Sequence, residues 1–138
     1  MKRGRCETHE TMKKIIHVPN APRPLAPYSP AVVANGFVFV SGQIPLDPQT
    51  GDLVSADIET ETHQVMQNVE AVLKASGSDW NQVVKTSIFL TDLSDYAAVN
   101  GVYAQYFDNQ TAPARECVQV VRLPRGARVE ISVIGLVS

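Results

Sequence analysis

Cysteine is nearly absent from this sequence: Cys6 and Cys117 are the only two among 138 residues. Two thiols cannot build the disulfide lattice of a small secreted protein, nor supply the four-ligand spacing of a structural zinc site. Histidine is equally sparse, and none of His9, His17 and His63 stands three or four residues from another, so no local metal-ligand pair exists. No apolar run approaches the ~20 residues of a membrane span. Excess basic charge is missing too. The 12 Lys+Arg against 14 Asp+Glu leave a net charge of −2, which gives no field to hold a phosphate backbone. The expectation is a reduced, cytoplasmic protein without metal or cofactor and without a membrane or nucleic-acid partner.

What is present suits one globular domain. Hydrophobic residues make up 44% and charged residues 19% of the chain, a balance that argues against disorder. Residues 1–11 are polar, with Lys2, Arg3 and Arg5 followed by Glu7 and Glu10. They read as a flexible N-terminal extension ahead of a single domain over 12–138.

Along the chain, Pro22, Pro24, Pro27 and Pro30 impose an extended path. Asn35-Gly36 between Val32-Val33-Ala34 and Phe37–Ser41 is a hairpin signal, because both turn residues tolerate positive φ. From about Asp57 the period changes: Val65, Val69, Val72 and Leu73 form one helical stripe that Gly77 can end. Glu59 and Glu61 sit near its start, where the helix dipole favours acids. Val83–Thr91 reads as a strand. Ser94 is placed to cap a second helix with Tyr96, Val99, Tyr103, Tyr106 and Phe107 on its face. Two strands follow, Arg115–Val121 and Arg128–Ile134. The order β-β-α-β-α-β-β predicts an α+β fold, with a single sheet and two helices on one face. The uncovered face asks for another copy of the chain.

Chemistry concentrates in the last two strands. Alternation puts Arg115 and Cys117 on one face, and pairing of the two strands through the intervening turn would set Cys117 opposite Glu130. A guanidinium there suits a carboxylate or phosphate, and Glu130 suits orienting a water or shuttling a proton. A plain Arg115–Glu130 salt bridge at a subunit seam fits as well. Cys117 reads either as a nucleophile favoured by Arg115 or as a small core residue without a base. Ser41-Gly42 at a strand end would let a ligand approach the backbone, or is simply a turn. Tyr28, among four prolines, lines a pocket or packs.

Several collinear blocks resemble the Rid family, the YjgF-type reactive intermediate deaminases, and most of all its RidA branch. They are Ala26-Pro27-Tyr28-Ser29-Pro30, Val40-Ser41-Gly42-Gln43-Ile44-Pro45, Asp47-Pro48, Asn68-Val69 and Val83-Val84-Lys85-Thr86. Val99-Asn100, Tyr103, Pro113-Ala114-Arg115 and Leu123-Pro124-Arg125-Gly126 to Glu130 complete them. The resemblance implies a chorismate-mutase-like fold assembled as a homotrimer with inter-subunit clefts. It implies hydrolysis of enamines and imines (2-aminoacrylate, 2-iminobutyrate) to 2-keto acids and ammonia, with no cofactor. Carried over to this sequence, Arg115 anchors the substrate carboxylate and Glu130 is the acid–base group. Tyr28, Ser41, Gly42, Asn100 and the Cys117 backbone complete the pocket. Two other functions compete: a regulatory trimer that senses 2-keto acids, and an RNA-cleaving translation inhibitor, which the net charge opposes.

Overall fold

A computed structural model describes residues 12–19, 21, 24 and 26–138; the extension expected over 1–11 lies outside the described residues. Among the described residues six strands and two α-helices follow in order. They are β1 (Lys14–Ile16), β2 (Ala31–Ala34), β3 (Phe37–Gln43), α1 (Ile58–Ala75), β4 (Val83–Leu90), α2 (Tyr96–Tyr103), β5 (Ala114–Gln119) and β6 (Val129–Leu136). The strand β1 adds to the expected set. It pairs antiparallel with β2 at the sheet edge.

Local chemistry explains the elements. Asn35 and Gly36 take φ of 52° and 81° and close the β2–β3 hairpin, the left-handed pair that a two-residue turn needs. Asp57 caps α1 by accepting from the Thr60 N–H at 2.7 Å. Gly77, at φ 81°, follows the Ser76 C-cap. The Val65, Val69, Val72 and Leu73 stripe is buried against the sheet as its spacing predicts. The second helix differs from expectation. Asp92, not Ser94, provides the side-chain cap, accepting from the Ser94 N–H at the start of a 3-10 turn over Leu93–Asp95. The α-helix then begins at Tyr96 without a side-chain cap, and Tyr106 and Phe107 fall beyond its end. A Cβ on Gly101 would meet nothing within 4 Å, so close packing within the protomer does not account for that glycine.

The sheet runs β1-β2-β3-β6-β4-β5. This order overturns the expected pairing of the last two strands. β5 lies parallel to β4, with Thr86 beside Arg115 and Ile88 beside Cys117. β6 inserts between β3 and β4, antiparallel to both. The physical reason lies in composition and handedness. Val129–Leu136 carries apolar residues on both faces and takes the centre, whereas ARECVQ is polar enough to form an edge. A β4–α2–β5 crossover returns its strand parallel, as such units do.

Both helices cover one face. The core there is built from Val38, Val40, Val65, Met66, Val69, Leu73, Ile88, Leu90, Val129, Ile131 and Val133. The opposite face has no cover among the described residues: Phe39 is 46%, Leu136 41% and Phe37 39% exposed, an apolar patch of the kind that marks an interaction surface.

Candidate active site

Sequence-predicted site residues separate into two groups on opposite faces of the sheet. Arg115 and Cys117 share the helix-covered face, since their β4 neighbours Thr86 and Ile88 are core residues. Glu130 alternates with the buried Val129 and Ile131 and pairs with Phe89, which puts it on the uncovered face. With β4 between them, β5 and β6 stand about 10 Å apart. One protomer therefore does not bring Arg115, Cys117 and Glu130 into one patch, and Arg115 makes no salt bridge to Glu130.

The first group is built around Arg115. Its Nη1 donates to Asn100 Oδ1 at 2.8 Å and its Nη2 donates to the Tyr96 hydroxyl at 2.8 Å. The guanidinium carbon lies 4.9 Å from the centre of the Tyr103 ring and 5.7 Å from that of Tyr96, within cation–π range. Tyr103 is itself fixed by donating to Thr86 Oγ1 at 3.0 Å. Among the described residues two of the five guanidinium donors are thus used, which leaves three able to meet an anion. Cys117 is half-buried beside this group and packs on the core. Burial pushes its thiol up, and the Arg115 charge only opposes that rise, so the thiolate needed for a nucleophile is disfavoured.

The second group is built around Glu130 and a bulge in β3. Val40 faces Val133 but Gln43 faces Ile131, so Ser41-Gly42 holds one extra residue. The Glu130 side chain lies directly over Gly42: a Cβ there would come 2.7 Å from the Glu130 carboxyl carbon. Only a residue without a Cβ leaves Glu130 in that place. The Ser41 N–H and hydroxyl donate to the Pro30 and Ser29 carbonyls at 2.9 and 2.6 Å, which ties down the loop bearing the exposed Tyr28. Asn68 on α1 donates to the Ile44 and Leu46 carbonyls at 3.1 and 2.9 Å and anchors the segment leaving the bulge. Among the described residues Glu130 has no hydrogen-bond or ion-pair partner, and burial pushes its carboxyl up.

Ser41, Gly42 and Glu130 thus gather at the β3 bulge, next to the loop that carries Tyr28, and Asn100, Arg115 and Cys117 lie on the other face. Sequence reasoning placed Tyr96 and Tyr103 on a helix face but missed their contacts with Arg115. The i, i+4, i+7 spacing of Tyr96, Asn100 and Tyr103 is the signal that could have joined them. Among the described residues no group of three or more His, Cys, Asp or Glu could hold a metal ion, and no helix is long and apolar enough to cross a membrane.

The family model described as Endoribonuclease L-PSP matches residues 18–137. This chain belongs to that family. The L-PSP chain is 42% identical over 125 residues to the mouse 2-iminobutanoate/2-iminopropanoate deaminase, covering 91% of this chain and 92% of that one. A Rid-family protein from Yersinia pestis superposes with a TM-score of 0.87 at 48% identity, over 91% of this chain and all of that one. Escherichia coli TdcF, solved with serine bound, superposes with a TM-score of 0.83 at 42% identity, over 91% and 99%. The Rid resemblance read from the sequence blocks is therefore the correct family. The mixed sheet with two helices is the L-PSP fold.

Proposed function

We propose that this protein is an enamine/imine deaminase of the RidA type, working as a homotrimer whose active sites lie between subunits. The observation that carries the reading is the division of the site. An anion anchor with unspent donors sits at Arg115, and a solitary carboxyl with a raised pKa sits over Gly42 on the other face. Each half lacks what the other has. A cyclic assembly that covers the apolar face can set the Arg115 half of one subunit against the Glu130 half of the next.

The chemistry follows from a small 2-imino acid. Its carboxylate is held by Arg115, whose guanidinium Asn100, Tyr96 and Tyr103 keep in place. The C=N carbon is already electrophilic, so one water suffices as nucleophile. The Glu130 carboxylate takes a proton from that water as oxygen bonds to C2, and a carbinolamine forms. Glu130 passes that proton to the nitrogen, then takes the carbinolamine hydroxyl proton and delivers it to the nitrogen as well, so that C=O forms as the C–N bond breaks and ammonia leaves a 2-keto acid. A carboxyl whose pKa is raised by burial is better suited to both transfers than an ordinary one. Serine bound to TdcF and the name of the mouse relative support a small amino-acid-like substrate. The −2 net charge weighs against RNA despite the family description.

The test is imine turnover. A pyridoxal-phosphate dehydratase generates 2-aminoacrylate or 2-iminobutyrate, and semicarbazide traps the free imine. The protein should lower the trapped product and speed keto-acid release, while Arg115→Ala should not. Equal trapping with both would remove the enzyme reading and leave a 2-keto acid sensor.

A further inference from the structure

We infer that the Tyr96 hydroxyl is a positioning and specificity-determining group for the anion at Arg115, donating its own proton to the bound carboxylate. The inference rests on the carboxylate site proposed above. Arg115 rises from an edge strand, where a long side chain would otherwise sample many rotamers. One face of α2 removes that freedom: Tyr96, Asn100 and Tyr103 recur at helical spacing and meet the guanidinium from three directions.

The three contacts are not equivalent. Tyr103 is 6% exposed and its hydroxyl proton is spent on Thr86, so it offers a ring and nothing more. Asn100 is partly buried and uses its amide oxygen. Tyr96 is 42% exposed, and its hydroxyl oxygen accepts from Arg115 Nη2. A phenol has one proton to give, and that proton has no acceptor among the described residues. Accepting from a cation also polarises the O–H bond and makes it a better donor.

The result is a neutral donor fixed at 2.8 Å from the guanidinium edge, on its solvent side. A carboxylate drawn to Arg115 finds a hydroxyl proton beside the charge. A carboxamide of the same shape carries no charge for the guanidinium and turns its own N–H groups toward one of these donors, which favours the acid. Because the contact is to the carboxylate and not to the reacting C=N bond, it holds ground state and transition state alike. It should act on binding far more than on turnover.

The experiment compares wild type with Tyr96→Phe, which keeps the ring and deletes only the hydroxyl. Affinities for 2-oxobutanoate and 2-oxobutanamide are measured by calorimetry, alongside kcat, KM and Tm. The variant should bind the acid about tenfold more weakly, as loss of one hydrogen bond to a charged group implies. It should raise KM by a similar factor, change kcat far less, and leave carboxamide affinity and Tm where they were. Unchanged acid affinity, an equal loss for acid and carboxamide, or a fall confined to kcat would each overturn the inference. The binding arm does not depend on turnover. A wild type that binds 2-oxobutanoate without hydrolysing imines removes the deaminase reading while still testing Tyr96. A wild type that does not bind the acid removes both.

Discussion

Arg115 and Glu130 leave opposite faces of the same sheet, with the whole of β4 between their strands. Each is accompanied by its own supporting group, Asn100 with Tyr96 and Tyr103 on one face and Gly42 with Ser41 on the other. On the proposed reading each protomer therefore carries two half-sites, and turnover would depend on assembly.

Subunit complementation follows. Arg115→Ala and Glu130→Gln homotrimers should each be inactive or nearly so. Co-expressed in equal amounts, they should regain activity, because random mixing rebuilds about a quarter of the clefts with both groups intact. Activity relative to wild type in the mixed trimers is the measurement. No recovery, with mixing verified by mass, would place both groups in one subunit's site.

The close contact between Gly42 and Glu130 predicts the effect of Gly42→Ala. The new Cβ collides with the carboxyl end of a flexible side chain and not with backbone. The cheapest response is for Glu130 to swing away, at a cost in stability of about 1 kcal/mol or less, below that of overpacking a rigid core. Turnover should fall by at least about tenfold through misplacement of the acid–base group, while 2-oxobutanoate still binds. A variant with full kcat would mean that the Glu130 position over Gly42 is unimportant.

Local signals were legible in the sequence, and long-range ones were not. Asn35-Gly36, the Asp57–Gly77 helix and the alternation that puts Arg115 and Cys117 on one face depend on neighbours a few residues away, and they fold as read. The place of β6 depends on pairing with strands far off in the chain. The turn before it suggested a hairpin that the β4–α2–β5 crossover pre-empted. The polar edge composition of β5 was the available hint. Arg115 and Glu130 could be singled out by chemistry alone. Their separation, and the role of Tyr96, needed the topology.

Cys117 should be slow to react. Burial holds its thiol above the ordinary thiol range, with Arg115 opposing the rise, so little thiolate exists at neutral pH. In a Cys6→Ser background, iodoacetamide should modify Cys117 more slowly than a free thiol at pH 7, and the rate should climb as pH rises past the usual thiol value. Cys117→Ala should keep measurable turnover. Fast alkylation at pH 7 together with an inactive alanine variant would restore the nucleophile reading.

Glu61, in the first turn of α1, is cross-linked to Arg128, the residue just before β6. Its carboxylate, only 6% exposed, accepts from Arg128 at 2.8 Å and from the Ala56 N–H at 3.0 Å, while Arg128 also donates to the Ala56 carbonyl. Glu61 therefore does more than answer the helix dipole. Arg128→Ala strands a buried charge and should destabilise by about 1–3 kcal/mol, less than for a fully buried pair because the arginine is itself 41% exposed. Glu61→Gln keeps an acceptor for Ala56 and removes the charge, so it should cost less. In the double variant no carboxylate is left unpaired, and urea unfolding at fixed protein concentration should find it more stable than Arg128→Ala alone. A double variant no more stable than that single one would mean that the arginine acts through its hydrogen bond to Ala56, and that the stranded charge is not the source of the cost.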